Sequence, residues 1–214
     1  SREPITNFDF IAFTLQYELS YTNLLNMLDL ANVPLFRTER KLEDPFIIVG
    51  GPCAYNVEPI SDFVDIAVLG EGEEVNLEIL NAYKEWKKNK TTREDFLYQI
   101  SSIEGVYIPS FYDVTYNEDN TVKAVVPNRE NIPANPRKRI IKDVENVIYP
   151  EKLIVPFIET VHNRVVLELF RGCTRGCRFC QAGMIYRPIR EKSVDRLKEI
   201  VDKLIKSTGY DEIS

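Results

Sequence analysis

Short apolar runs that end on glycine turns are the strongest constraint on how this chain can fold. Residues 46–49 run into Gly50-Gly51-Pro52, and residues 64–69 run into Gly70-Glu71-Gly72-Glu73. Each run is too short for a helix and, Asp65 aside, too uniformly apolar for a strand with one wet face. Each therefore reads as a strand buried on both faces. Residues 9–15 give another such run. Helical stretches lie between them. Residues 21–31 place Leu24, Leu25, Leu28 and Ala31 at helical spacing, with Pro34 beyond the end. A second helix runs from the Gly72 turn to about Lys88, with Val75, Leu77, Ile79, Leu80 and Tyr83 as core candidates. Buried strands alternating with helices predict an α/β domain built on a parallel, doubly wound sheet.

From Gly105 the pattern changes. Residues 106–115 and 122–126 flank Asn117-Glu118-Asp119-Asn120, which predicts a β-hairpin. Pro127, Pro133 and Pro136 with Arg137-Lys138-Arg139 predict a linker whose basic triplet is solvated and without function. Residues 164–170 predict a strand, 193–207 a helix with Ser193 as its N-cap, and 210–214 the start of one more strand. The organisation expected is an α/β domain over 1–104, incomplete at its start, a hairpin and linker over 105–163, and a truncated second domain over 164–214. The strand edge left at 210–214 is expected to seek a partner, either a neighbouring element or a second copy of the chain, so self-association through an exposed edge is an option.

Composition narrows the function classes. The 214 residues are 44% hydrophobic and 28% charged, which sets disorder aside. The longest apolar runs are a handful of residues where a spanning helix needs about 20, so no membrane partner is expected. No signal pattern opens the chain and it holds four cysteines, so a cytoplasmic location is expected. The single histidine, His162, excludes zinc sites built on two or three histidines, and no Gly-x-Ser-x-Gly elbow occurs. His162 itself reads as a surface or packing residue. A net charge of −6 does not indicate nucleic acid. Residues 164–198 nevertheless hold nine basic and three acidic side chains. That island reads either as an anion or nucleotide site or as a solvated surface.

The island contains Arg171-Gly-Cys173-Thr-Arg-Gly-Cys177-Arg-Phe-Cys180, a C-x3-C-x2-C loop between a predicted strand and a helix. Three thiolates on one short loop can take three corners of a cuboidal iron–sulfur cluster. Gly172 and Gly176 allow the positive-φ turns that fold the sulfurs inward, and Arg171, Arg175 and Arg178 favour deprotonated thiols. No fourth ligand is near, which leaves one metal position open to an exogenous group. Two other readings stand beside this one: cysteines packed as small apolar side chains, and a zinc site completed by His162 or Cys53. Cys53, just past a strand, reads as a spectator ahead of a fourth ligand.

C-x3-C-x-aromatic-C, with Phe179 in the aromatic slot, resembles the signature of the radical S-adenosylmethionine (radical SAM) superfamily. The resemblance implies a [4Fe-4S] cluster on Cys173, Cys177 and Cys180, with S-adenosylmethionine chelated to the open iron and Phe179 beside its adenine. It implies one-electron cleavage of the sulfonium to a 5′-deoxyadenosyl radical, fed by a low-potential donor such as flavodoxin or ferredoxin. It also implies that 164–214 is the first βα unit of a (β/α) barrel. Such barrels assemble their sites from several strand ends, so activity belongs to the full-length parent and the 214 residues alone are expected to be inert. The stretches ending in Gly-Gly-Pro and Gly-Glu-Gly-Glu resemble the Rossmann-like, cobalamin-binding-type domain that precedes many such barrels. On that likeness Thr14, Gly50, Gly51, Gly70, Glu71 and Gly72 form the candidate pocket. The Asp-x-His-x-x-Gly motif of cobalt-ligating members is absent, so cobalamin stays an option and not an expected cofactor. The order of modules and the phrase Gly-Gly-Pro-Cys-Ala-Tyr-Asn resemble an uncharacterised radical SAM group with a cobalamin-type N-terminal domain. Substrate and catalytic residues stay open. The competing class is a non-catalytic Rossmann-like binding module with a zinc or iron–sulfur cysteine site.

Overall fold

A computed structural model of the chain describes residues 2–89, 91–158 and 160–214. It forms two compact units, Ser1–Ile140 and Ile141–Ser214.

The first unit opens with β1 (Phe10–Thr14), α1 (Tyr21–Leu30), β2 (Phe46–Gly50) and β3 (Ile66–Val68). It continues with α2 (Gly72–Asn89), α3 (Arg93–Ile100) and β4 (Val106–Tyr107). The sheet order is β1-β2-β3-β4; the first three strands are parallel and β4 runs antiparallel to β3. Ile47, Val49, Ile66 and Ala67 are fully buried, as strands covered on both faces require. The α2 core is Val75, Ile79, Tyr83 and Trp86, whereas Leu77 and Leu80 are 62% and 43% exposed. Steps of four, four and three residues keep the buried set on one stripe, and Leu77 and Leu80 fall outside it. Apolar spacing did not announce α3. Its signal is polar, a capping box in which Thr92 accepts from the Asp95 amide and the Asp95 carboxylate accepts from the Thr92 amide.

The hairpin is shorter than the sequence predicts. It comprises β5 (Tyr112–Tyr116) and β6 (Val122–Pro127), while Val106 and Tyr107 leave to extend the main sheet as β4. Pro109 begins a 3-10 turn between them and has no N–H to continue a ladder. The Arg137-Lys138-Arg139 run is also not simply solvated. Arg139 pairs as a bridge beside Gly70, and its guanidinium donates to Glu74 at 2.6 and 2.9 Å and to Glu78 at 2.6 Å. Two acidic side chains one turn apart on α2 draw it in.

A buried carboxylate ties this unit together. Asp65 Oδ2 accepts from Arg40 Nη1 at 2.8 Å and from the Ile47 amide at 2.8 Å, and lies 3.3 Å from Arg93 Nη2. Arg40 spends its other donors on the carbonyls of Pro34, Leu35 and Phe63. Arg93 lies over the Phe46 ring at 3.8 Å, inside a cluster formed by Phe10, Phe46, Tyr83, Trp86 and Phe96.

In the second unit the predicted strand over 164–170 changes partner midway. Val165 forms a parallel bridge with Ile213, supported by Val165 N to Glu212 O at 2.9 Å and Leu167 N to Ser214 O at 2.9 Å. Three residues on, β7 (Phe170–Arg171) pairs antiparallel with β8 (Arg190–Glu191), and α4 (Ala182–Ile185) lies between them in sequence. Then α5 (Val194–Thr208) starts on Ser193, whose hydroxyl accepts from the Arg196 amide, and ends on Gly209 at φ 75. Ile200 and Leu204 of α5 pack on Val165, giving one βαβ unit. The terminal segment 212–214 pairs with 165–167, and among the described residues no closed barrel is seen.

Removing the Asp65 charge should leave Arg40 buried and unpaired. Asp65→Asn is expected to cost about 3–5 kcal/mol in urea unfolding. Asp62→Ala, which breaks an exposed pair with Arg37, is expected to cost under about 1 kcal/mol.

Candidate functional site

Two places in the chain gather residues of functional chemistry. The first is the cysteine loop in the second unit. Its root is narrow: β7 and β8 pair Phe170 with Glu191 and Arg171 with Arg190. Gly172 follows at φ 98, and a Cβ there would lie 2.5 Å from the Pro188 carbonyl. No L side chain fits that position, so glycine is required for the loop to leave its stem. Gly176 turns the chain again at φ 65, and the Cys180 amide donates to the Cys177 carbonyl at 3.1 Å. Cys177 is exposed, Cys173 and Cys180 are half-buried, and all three are free thiols. Arg175 and Arg178 are exposed beside them, and Phe179 is 93% exposed. Among the described residues no three His, Cys, Asp or Glu side chains converge in a group that could hold a metal ion. The donor set nevertheless suits an iron–sulfur cluster: three soft thiols on one turn-rich loop, with cations nearby. His162 is exposed, and its Nδ1 lies 2.8 Å from Arg164 Nη2.

The second place is the carboxyl end of the parallel sheet in the first unit, where α/β folds bind ligands. A cavity of about 250 Å³ is lined there by Thr14, Gly50, Gly51, Gly70, Gly72 and Asn76 over an apolar floor that includes Ile48 and Val68. Five of the six residues assigned to this pocket from sequence therefore meet. Glu71 does not line it, and its amide donates to the Arg139 carbonyl. Gly70, at φ 102, has that carbonyl 2.1 Å from where a Cβ would sit, so its missing side chain makes room for the protein's own backbone. The volume is at or below the small end of ligand pockets. The chain's only histidine, His162, lies in the other unit, so no imidazole of the first unit could reach a cobalt ion. The residues present do not fit a cobalt-ligating cobalamin site.

Asn76 was missed from sequence; its signal is a position one turn after Gly72, over which its amide group lies. Cys53 is buried in the first unit. Burial, and then the neighbouring Glu18 carboxylate, push its thiol up from the ordinary value. In the folded, metal-free chain at pH 8, alkylation followed by peptide mass analysis should modify Cys177 first. Cys53 should come last, by about an order of magnitude. Equal rates at the two would contradict the burial described here.

Residues 1–109 match the family of radical SAM proteins, N-terminal. The cysteine loop lies beyond the matched stretch. An uncharacterised protein of Methanocaldococcus jannaschii is 28% identical over 216 residues, a match that covers 99% of this chain and 38% of that protein. The chain thus spans well under half the length of the curated relative it matches. With an α/β sheet built from the matched residues, and half of the chain inside the match, the protein belongs to the family of radical SAM proteins, whose N-terminal domain it carries.

Proposed function

We propose that this protein serves a radical SAM enzyme reaction, with Cys173, Cys177 and Cys180 as the ligands of a [4Fe-4S] cluster. The observation that carries this reading is the conjunction of family membership with a three-thiol loop on a glycine-pinned stem. When bound, the cluster supplies the electron that cleaves S-adenosylmethionine to a 5′-deoxyadenosyl radical. The chain's own residues bind and orient. The three thiolates hold metal, Phe179 offers an aromatic face to the adenine, and Arg175 and Arg178 place positive charge near the thiolates. A low-potential donor such as flavodoxin or ferredoxin fits as the partner. In domain terms, the Rossmann-type module extends past residue 104 to take in β4 (Val106–Tyr107), and 164–214 is the opening βα unit of a barrel.

A zinc-holding module is the competing reading, and thiol chemistry alone admits it. Anaerobic reconstitution with iron and sulfide separates the two. The wild-type chain should take up about four irons, and alanine at any one of Cys173, Cys177 or Cys180 should abolish uptake. Cys53→Ala should leave uptake intact. Stoichiometric zinc with no iron uptake would favour the module. Replacing Arg175 or Arg178 by Gln should lower the cluster's reduction potential, because less positive charge favours the oxidised form. A potential that stays or rises would remove those arginines from the site.

A further inference from the structure

The root of the cysteine loop is held by charges that a two-residue ladder does not need for its own geometry. The Lys192 side chain is 0% exposed, and a buried ammonium is costly unless paired. Its Nζ donates to Glu168 Oε2 at 2.7 Å. The same carboxylate takes Arg171 as a fork, Nε to Oε1 at 2.9 Å and Nη2 to Oε2 at 3.3 Å. Tyr149 closes the cluster from another segment. Its ring lies 5.9 Å from the Lys192 ammonium, and its hydroxyl donates to the Val166 carbonyl at 2.8 Å. Backbone pairing continues alongside, from the Lys192 amide to the Leu169 carbonyl at 3.1 Å.

The two cations come from opposite sides of the stem. Arg171 ends β7, one residue before Gly172 and two before Cys173, and Lys192 directly follows β8. A ladder of two residue pairs is far too short to be stable alone. The carboxylate between the two cations adds a side-chain link between the outgoing chain and the returning one, beside that ladder. Burial raises the Glu168 carboxyl, and Arg171 and Lys192 outweigh it, holding the group below the usual carboxylate range.

We propose that Glu168 and Lys192 are positioning residues, which act through Arg171 to fix the root of the cysteine loop and so the approach of its thiols to one metal centre. The inference rests on the metal role proposed above. Partners behind metal ligands orient them, and losing such a partner typically costs about 10–100-fold in metal affinity.

The test uses the 214-residue chain with Lys192→Met and Glu168→Gln, and circular dichroism melting as a check on folding. Two readouts follow. In the reduced, metal-free chain, the rates at which the four cysteines react with a small aromatic disulfide are resolved by peptide mass. In the chain reconstituted with iron and sulfide, the half-time of iron loss to EDTA is measured. Both variants should react several-fold faster at Cys173 and Cys180, with Cys177 and Cys53 unchanged, and should lose iron about ten-fold faster. A general loosening of the second unit would instead also speed amide exchange at Val165 and Leu167, whose N–H groups bond the Glu212 and Ser214 carbonyls, and that result overturns a positioning role. Unchanged rates and half-times in a chain that takes up iron overturn the clasp and leave the metal reading standing. A wild-type chain that takes up no iron overturns the metal reading and the inference with it. Should either single variant fail to fold because a charge is stranded, the double variant Glu168→Gln with Lys192→Met carries the same outcomes. Unfolding of all three would overturn the proposal in favour of a purely structural cluster.

Discussion

A single carboxylate organises the first unit. Asp65 sits where the chain enters β3, with its backbone amide on the Ile47 carbonyl and its side chain on the Ile47 amide, Arg40 and Arg93. It therefore locks the register of β2 against β3 and fastens two remote stretches, the loop around Arg40 and the start of α3, to that junction. A buried charge this well satisfied adds little stability over an apolar replacement, but it tolerates few alternative arrangements. The aromatic cluster and the apolar strand faces supply the burial, and the Asp65 contacts join β2, the Arg40 loop and the start of α3 at one point.

The consequence appears at the other end of the same strands. With β1, β2 and β3 fixed in parallel register, Thr14, Gly50, Gly51, Gly70 and Gly72 arrive at one edge and surround a cavity. What fills much of the space left by Gly70 is the chain itself, through Arg139. A glycine-rich strand end can thus serve a ligand or a close backbone crossing, and here a crossing segment fixed to α2 by Glu74 and Glu78 uses Gly70.

In the second unit, polar chemistry again selects among possible pairings. One apolar run serves two ladders in succession, parallel with 212–214 and then antiparallel with 190–191, and Glu168 lies at the change. Its carboxylate draws Arg171 and Lys192 together, so the cysteine-bearing segment departs from and returns to a defined base.

By itself the sequence determined the strands it places over 9–15, 46–49 and 64–69, which form over 10–14, 46–50 and 66–68, the helices starting near Tyr21, Gly72 and Ser193, and the three-thiol loop. These follow from local rules: apolar runs, helical spacing, caps, and three closely spaced cysteines. The tertiary structure alone decided that Val106 and Tyr107 join the main sheet, that Leu77 and Leu80 face outward, and that Arg139 closes on Gly70. It also decided that a strand read as one piece divides its pairing at Glu168. Each of these depends on groups far apart in sequence, where long-range hydrogen bonds and desolvated ion pairs choose among partners that local propensity leaves equivalent.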